Sequence, residues 1–574
     1  MAAPTAVLTS AASKSCSSRG PRVLARQCCT TNSAFRTHTS STQKRFFALS
    51  SAQQVNRLNH FSKLEPADVD YFKSVTTVHQ GDMDRYNIDW LKLMKGKSEL
   101  ALRPRSTEEV SKILKYCNDR KLAVTPQGGN TGLVGGAIPV FDEIILSLEL
   151  MNKIVSIDEK AGVGIFEAGA ILEQVNTTLE NDYNLIFPLD LGAKGSCQIG
   201  GNIATNAGGL RVLRYGNLHG SVLGLEFVKA NGEVVDVLSR NKKDNTGIDL
   251  KQLMIGSEGV LGVITKAAVM CPPKCNAKHV LLLSVDNYDD VVSLFQKARS
   301  ELGEILSAYE FWDAECTENL SKNLPDLPAI PEFLLPEGNG KPKFGVLVET
   351  SGSNAEHDSE KLFQFLEKHE LESGSIASDL KQYAEFWRFR EDIPEAMLKA
   401  KTKVDSGSKL FAYDVTLPEI DKLYLLVEES RTFLTKLFDK DPDFISNVVG
   451  YGHIGDGNLH LNLTTNAAAP VELEEKMIKN YEPFLWQLVK DLNGSISAEH
   501  GIGSAKTDVI HYSKSKEAIE LMYEIKKCMD PNMILNPYKV LCNQQNPVLV
   551  GDSGLGLGAS SNDAVGGGKM QQSM

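Results

Sequence analysis

From about residue 95 to residue 530 the chain switches repeatedly between helical and strand periodicity. Ser106 to Cys117 has the spacing of a helix, with Thr107 and Glu108 near its start. Leu122 to Pro126 and Glu143 to Leu148 are short apolar runs that predict strands. The alternation continues to about Cys271, where Pro272-Pro273 marks a boundary. A second segment of mixed helix and strand runs from His279 to Gly503, interrupted by a Pro-rich surface loop, Pro325 to Pro342. Helical spacing returns over Ser515 to Met529 and stops at Asp530-Pro531. From Gln544 onward the text is Gly, Ser, Asn and Gln, which predicts a disordered tail. The expected division is a leader, 1–47; a helical segment, 48–94; a first domain, 95–275; a second, 276–505; a C-terminal helical segment, 506–543; and a tail, 544–574. The fold class is α/β or α+β.

Composition narrows this. A chain of 574 residues calls for two or three domains, and no apolar run approaches the roughly 20 residues a membrane span needs. A net charge of −12 argues against nucleic acid or anionic membrane as partner. Ten cysteines without regular spacing imply free thiols, and Cys271 and Cys275 have no second pair nearby to build a zinc ribbon. The first 64 residues carry Arg and Lys among many Ser, Thr and Ala, with no acid before Glu65. Such a leader predicts a transit peptide to a mitochondrion or plastid.

Two glycine-rich stretches carry the first chemistry. Gln127-Gly128-Gly129-Asn130-Thr131-Gly132 follows a strand directly, and such a loop lets backbone N–H groups approach an anion closely. It has neither the Gly-Lys-Ser/Thr of a Walker loop nor the Rossmann glycine spacing. The second stretch runs from Gly192 through Gly195, Ser196, Gly200, Gly201, Asn202 and Thr205 to Gly208-Gly209. Two cradles in one domain suit a long ligand with a pyrophosphate and a flat ring.

The second chemistry lies in Tyr451 to Leu463. Asp456-Gly457 predicts a two-residue hairpin that sets His453 opposite His460, close enough for both imidazoles to reach one ion. The period of two places Asn462 on the same face and turns Leu459, Leu461 and Leu463 into the core. Two histidines packed in a sheet would give the same text. Glu499 and His500 are adjacent, so they can share a site only on irregular backbone, which Gly501 and Gly503 allow.

These motifs, with Asn87-Ile88-Asp89-Trp90, Pro188 to Cys197, Arg214-Tyr215-Gly216 and Gly256 to Gly262, resemble the vanillyl-alcohol-oxidase type of FAD-binding domain. Within that superfamily the text is similar to the D-2-hydroxyglutarate dehydrogenases and their D-lactate dehydrogenase relatives, over Phe72 to Leu541. The resemblance implies an FAD-binding domain, an α/β cap domain for substrate, and a C-terminal helical segment returning to the flavin. It puts the pyrophosphate on the first cradle and the flavin with its ribityl chain on Pro188, Gly195, Ser196, Gly201, Asn202, Thr205 and Gly208. Gly256 to Ile264 would flank the adenine, and Asn536 would meet the flavin. The first cradle contains no histidine, so the FAD is expected to be non-covalent.

The resemblance also assigns His453, His460 and Glu499 to a metal and His500 to proton transfer. Two imidazoles and a carboxylate suit catalytic zinc, and manganese or iron fits the same spacing. Arg390 is implied to bind a substrate carboxylate, with Asn462 nearby. Three positions depart from the family pattern: Ala412 stands where a lysine usually precedes Tyr-Asp, Pro394 where some relatives have threonine, and Tyr538 where glycine is usual. Lys409, three residues before Ala412, is the substitute cation. The implied acceptor is electron-transfer flavoprotein and the implied compartment the mitochondrial matrix. Oligomeric state stays open, a homodimer included. The alternatives are a D-lactate or glycolate dehydrogenase, alkylglycerone-phosphate synthase, and a catalytically dead flavoprotein.

Overall fold

The structure, a computed structural model, describes residues 57–335, 343–371, 373–403, 408–466 and 470–541. The expected leader and tail lie outside the described residues. The N-terminal part combines two sheets around one apolar core that includes Phe72, Leu102, Val124, Leu146, Phe166, Phe227 and Ile264. The first sheet has four strands in the order Thr77–His79, Ala101–Arg103, Ile144–Ser147 and Val124–Gln127. Thr77–His79 pairs antiparallel with Ala101–Arg103, and the remaining pairs are parallel. The 48–94 segment is therefore not purely helical: Val78 pairs with Leu102, which adds an edge strand beside helix Pro66–Val75.

Helix Thr107–Arg120 shows how the sequence builds this layer. Ser106 accepts the N–H of Glu109 at its start, and Val110, Ile113, Leu114 and Cys117 form one buried stripe. Lys121, at φ 54°, ends it. The second sheet is five antiparallel strands in the order Ile154–Asp158, Val163–Glu167, Val263–Met270, Val222–Val228 and Val234–Val237. After helix Lys516–Met529 the chain returns to the first sheet. The N–H of Val124 donates to the carbonyl of Ile534 at 2.8 Å, and the N–H of Asn536 to that of Val124 at 2.8 Å. This fixes Asn536 beside the first glycine loop.

The second half centres on a seven-stranded sheet whose pairs are all antiparallel. The order is Gly374–Ile376, Ala277–Val285, Phe344–Gly352, Leu306–Trp312, Ile445–His453, Asn458–Thr465 and Leu410–Thr416. Mixed helix and strand text thus resolves into α+β architecture here, with parallel pairing confined to the first sheet. One face buries Phe411, Tyr413, Leu459, Leu461 and Leu463 under helices Tyr288–Glu301, Leu425–Leu437 and Val471–Asp491. The alternation puts Asp414, His460 and Asn462 on the opposite face.

The hairpin differs from the expected form. His453 pairs with Asn458, and His460 with Tyr451. Only Gly457 takes a positive φ, at 72°, while Ile454 to Asp456 form a 3-10 turn. A two-residue turn of the expected kind needs φ > 0 at both central residues, and Asp456 does not supply it. His453 and His460 are consequently diagonal neighbours on one face, which still leaves long side chains within reach of each other.

Candidate active site

The strand Val124–Gln127 delivers its glycine loop to a cleft. Gln127 anchors it by donating to the carbonyls of Tyr86, at 2.9 Å, and Ala137, at 2.8 Å. Asn130 sits at φ 56° and donates to the carbonyl of Ile88 at 2.9 Å. The cleft is lined by Gln127 to Gly132, Gly201, Asn202, Thr205, Ile264 and Asn536 among others, and His500 closes one part of it. A side chain added at Gly132 or Gly201 would meet nothing within 4 Å, so the backbone there is bare toward open space. At Gly129 an added Cβ would lie 2.0 Å from the Ser196 carbonyl oxygen, so the two glycine stretches touch. Asn536 donates to the carbonyls of Gly136, at 3.2 Å, and Glu258, at 2.7 Å. A cleft walled in part by bare backbone can admit the phosphates of a dinucleotide.

Four expected cofactor residues do not line this cleft. Pro188 is buried, and Gly195 lies beside Glu173. Ser196 contributes its carbonyl to the contact with Gly129 instead. Gly208 has a different reason for being glycine: a Cβ there would stand 2.8 Å from Glu499 Oε1.

Glu499 belongs to the second cluster. His453 Nε2 and His460 Nε2 are 3.5 Å apart, and His453 Nε2 is 3.7 Å from Glu499 Oε1. These three residues form one group able to converge on a metal ion; Asp414, His460 and His500 form another. Asp414 is already saturated. Its Oδ2 accepts the N–H groups of Ala498, Glu499 and His500 at 3.0, 2.8 and 2.9 Å, and its Oδ1 accepts Asn458 Nδ2 at 2.8 Å. Glu499 Oε1, by contrast, is buried with no hydrogen-bond partner. A buried lone carboxylate oxygen is costly unless something fills its valence. His453, His460 and Glu499 therefore fit a divalent cation better than the Asp414 group does.

Asp414, to which the sequence assigned no role, explains the irregular backbone. Three consecutive N–H groups wrapped onto one carboxylate curl Ala498 to His500, so the adjacent side chains Glu499 and His500 need not point to opposite sides. Glu310 is another residue that the sequence did not single out. It accepts His453 Nδ1 at 2.8 Å and Arg390 Nε at 2.9 Å, and is almost wholly buried. That contact orients His453 with Nε2 toward the cluster.

Electrostatics follow from this burial. Desolvation opposes charge on His453, but the Glu310 carboxylate outweighs it and lifts the imidazole to about 9. Burial raises the Glu499 carboxyl to about 7. Burial, then the neighbouring His453 charge, holds His460 far below its usual range, and burial lowers His500.

Arg390 lies over the Tyr451 ring, 4.8 Å from its centre, and its Nη2 is buried without a partner. Asn462 donates to the Tyr451 hydroxyl at 2.9 Å. Lys409 is not brought to this site. Site-facing positions of the strand Leu410–Thr416 are even-numbered, with Ala412 opposite Asn462 and Asp414 opposite His460, and Lys409 has the other parity. Its ammonium pairs with Glu474 on helix Val471–Asp491. Ala412 instead borders a small cavity shared with His500 and Lys506.

Comparison with known proteins agrees with this geometry. A family model for an FAD binding domain matches residues 98–238, and one for the C-terminal domain of FAD linked oxidases matches residues 274–540. The chain is similar to a mitochondrial D-2-hydroxyglutarate dehydrogenase of Arabidopsis thaliana, 46% identical over 87% of this chain and 86% of that one. A Danio rerio protein of the same name is 46% identical, over 85% and 87%. A D-2-hydroxyglutarate–pyruvate transhydrogenase of Saccharomyces cerevisiae is 42% identical, over 85% and 97%. Among solved structures, an alkyldihydroxyacetonephosphate synthase superposes with a TM-score of 0.66 at 18% identity, over 86% of this chain and 88% of that one, which speaks for the fold alone. Two family matches in tandem, and relatives of this identity along most of its length, place the chain in the mitochondrial D-2-hydroxyglutarate dehydrogenase family of FAD-linked oxidoreductases.

Proposed function

We propose that the chain oxidises a D-2-hydroxy acid in the mitochondrion, D-2-hydroxyglutarate first, using non-covalent FAD in the cleft and a divalent metal, zinc by its ligand set, on His453, His460 and Glu499. The observation that carries this reading is the position of His500. It borders the flavin cleft and stacks on His460, with ring centres 5.9 Å apart. One imidazole thus stands between the cleft and the metal-ligand cluster. When bound, the flavin supplies a two-electron acceptor and the metal a Lewis acid that acidifies the substrate hydroxyl.

The chain's own residues do the rest. Arg390 Nη2, a buried donor without a partner, binds a substrate carboxylate, and Glu310 holds the guanidinium in place. Asn462 lines the same face as His460 and positions the acid. His500 takes the hydroxyl proton. Electron-transfer flavoprotein is the proposed acceptor.

Ala412 favours a second reading, a preference for a shorter acid such as D-lactate, because no lysine stands on the site face at that position. The test is kcat/KM for D-2-hydroxyglutarate and D-lactate in the parent and in Ala412→Lys. The parent is expected to prefer D-2-hydroxyglutarate. A charge-assisted hydrogen bond contributes about 1.5–3 kcal/mol, so Ala412→Lys should raise that preference by roughly 10- to 100-fold. A parent that prefers D-lactate would establish the second reading.

A further inference from the structure

The segment Ser497 to Gly503 is gripped from both halves of the molecule. Asp414, on the cap sheet, holds the N–H groups of residues 498 to 500. Glu258, from the flavin half, takes the next available pair: Ile502 N–H on Oε1 at 2.8 Å and Gly503 N–H on Oε2 at 2.7 Å. Gly501 lies between the two grips at φ +84°, and a Cβ there would come within 2.8 Å of the Glu258 carboxyl carbon. Lys506 closes the base, donating to the Ile496 carbonyl at 2.7 Å. It is nearly wholly buried, which lowers its pKa, while the nearby carboxylates of Asp414, Glu258 and Glu482 favour its charged form.

Glu258 is itself rigidly held. It adopts φ +50°, its N–H donates to the Ala204 carbonyl at 2.7 Å, and its own carbonyl accepts Asn536 Nδ2 at 2.7 Å. Glu258 also borders the flavin cleft. Both Ala204 and Asn536 border that cleft as well, so the flavin half reaches the segment Ser497 to Gly503 through residues that wall the cofactor site.

We infer that Glu258 is a positioning residue, whose two-point grip on Ile502 and Gly503 sets the placement of His500 and Glu499 relative to the flavin cleft. Asp414 shapes the segment; Glu258 locates it. The inference rests on the proposed role of His500, so its test includes one measurement that needs no substrate.

In Glu258→Gln one oxygen becomes an NH₂ group that must face an N–H, and one grip is lost. Amide hydrogen exchange at Ile502 and Gly503 should then accelerate by at least about 10-fold, because a protecting hydrogen bond is removed. Reduction per bound flavin at saturating D-2-hydroxyglutarate should fall about 10- to 100-fold, the scale on which a small misplacement of a reacting group acts. FAD and metal content should match the parent, KM should stay within about 3-fold, and the C2-deuterium isotope effect should increase, since only the chemical step is impaired. Glu258→Asp keeps both acceptors with a shorter reach and should show the same changes to a smaller degree. It carries the test if Glu258→Gln does not fold. Unchanged amide exchange would overturn the grip. Faster exchange with a flavin-reduction rate within 2-fold of the parent would overturn its role in placement. Loss of flavin or metal in proportion to activity, with the rate per intact enzyme unchanged, would reduce Glu258 to a structural residue. The parent rate tests the proposed function; the variant-to-parent ratio tests this inference.

Discussion

His500→Ala should slow flavin reduction by about 10²–10⁴-fold, the usual contribution of a positioned general base, while FAD and metal stay bound. The side chain is not among the proposed ligands His453, His460 and Glu499, and the rest of the cleft lining, Gln127 to Gly132, Gly201 and Asn536 included, is left in place. The Asp414 grip at this position is on the backbone N–H, which the substitution leaves in place. Glu499 should therefore keep its orientation. Stopped-flow reduction with D-2-hydroxyglutarate, alongside flavin and metal content, checks this. A rate within a few-fold of the parent would assign proton removal to another group.

His460→Ala should cost the metal as well as the rate. It leaves one imidazole and one carboxylate, too few to hold a catalytic divalent ion firmly. Metal content should fall from about one ion per chain toward zero, and turnover to roughly a hundredth of the parent or less, since the substrate hydroxyl loses its Lewis acid. FAD should remain, because the lining of Gln127 to Gly132, Gly201 and Asn536 shares no residue with the cluster. Metal analysis and flavin absorbance on the same sample separate the two. Equal loss of both would mean that the cluster supports the fold rather than the reaction.

Much of the site was legible in the sequence because its residue types are informative where they stand. Glycine in the two cradles signals bare backbone, and His453 and His460 share a face under either register, since pairing shifted by two residues preserves parity. The register itself was misread because Asp-Gly describes a two-residue turn, and the chain builds a 3-10 turn through Ile454 instead. Lys409 was misassigned on distance along the chain, where parity would have removed it. The roles of Glu258, Glu310 and Asp414 were not legible, for a common reason. Each is a carboxylate whose partners lie far away in sequence, and acids are ordinarily surface residues. A weaker signal did exist: Glu310 is the one charge in the otherwise uncharged run Leu306 to Trp312, and Asp414 alternates in phase with Ala412 toward the site face. Alternating helix and strand text left α/β and α+β both open for the cap, because a seven-residue buried strand reads the same in parallel or antiparallel pairing.

Under the proposed function a D-2-hydroxy acid reduces the flavin beside a metal-dependent histidine site. Anaerobic mixing of the purified protein with the D- and L-forms of 2-hydroxyglutarate, before and after metal removal by a chelator, tests this through flavin absorbance. Rapid bleaching by the D-form alone, lost on chelation and restored by added zinc, is the expected result. Bleaching at the same rate in metal-free protein would remove the metal from the reaction, and none with the D-form in metal-replete protein would rule out this substrate.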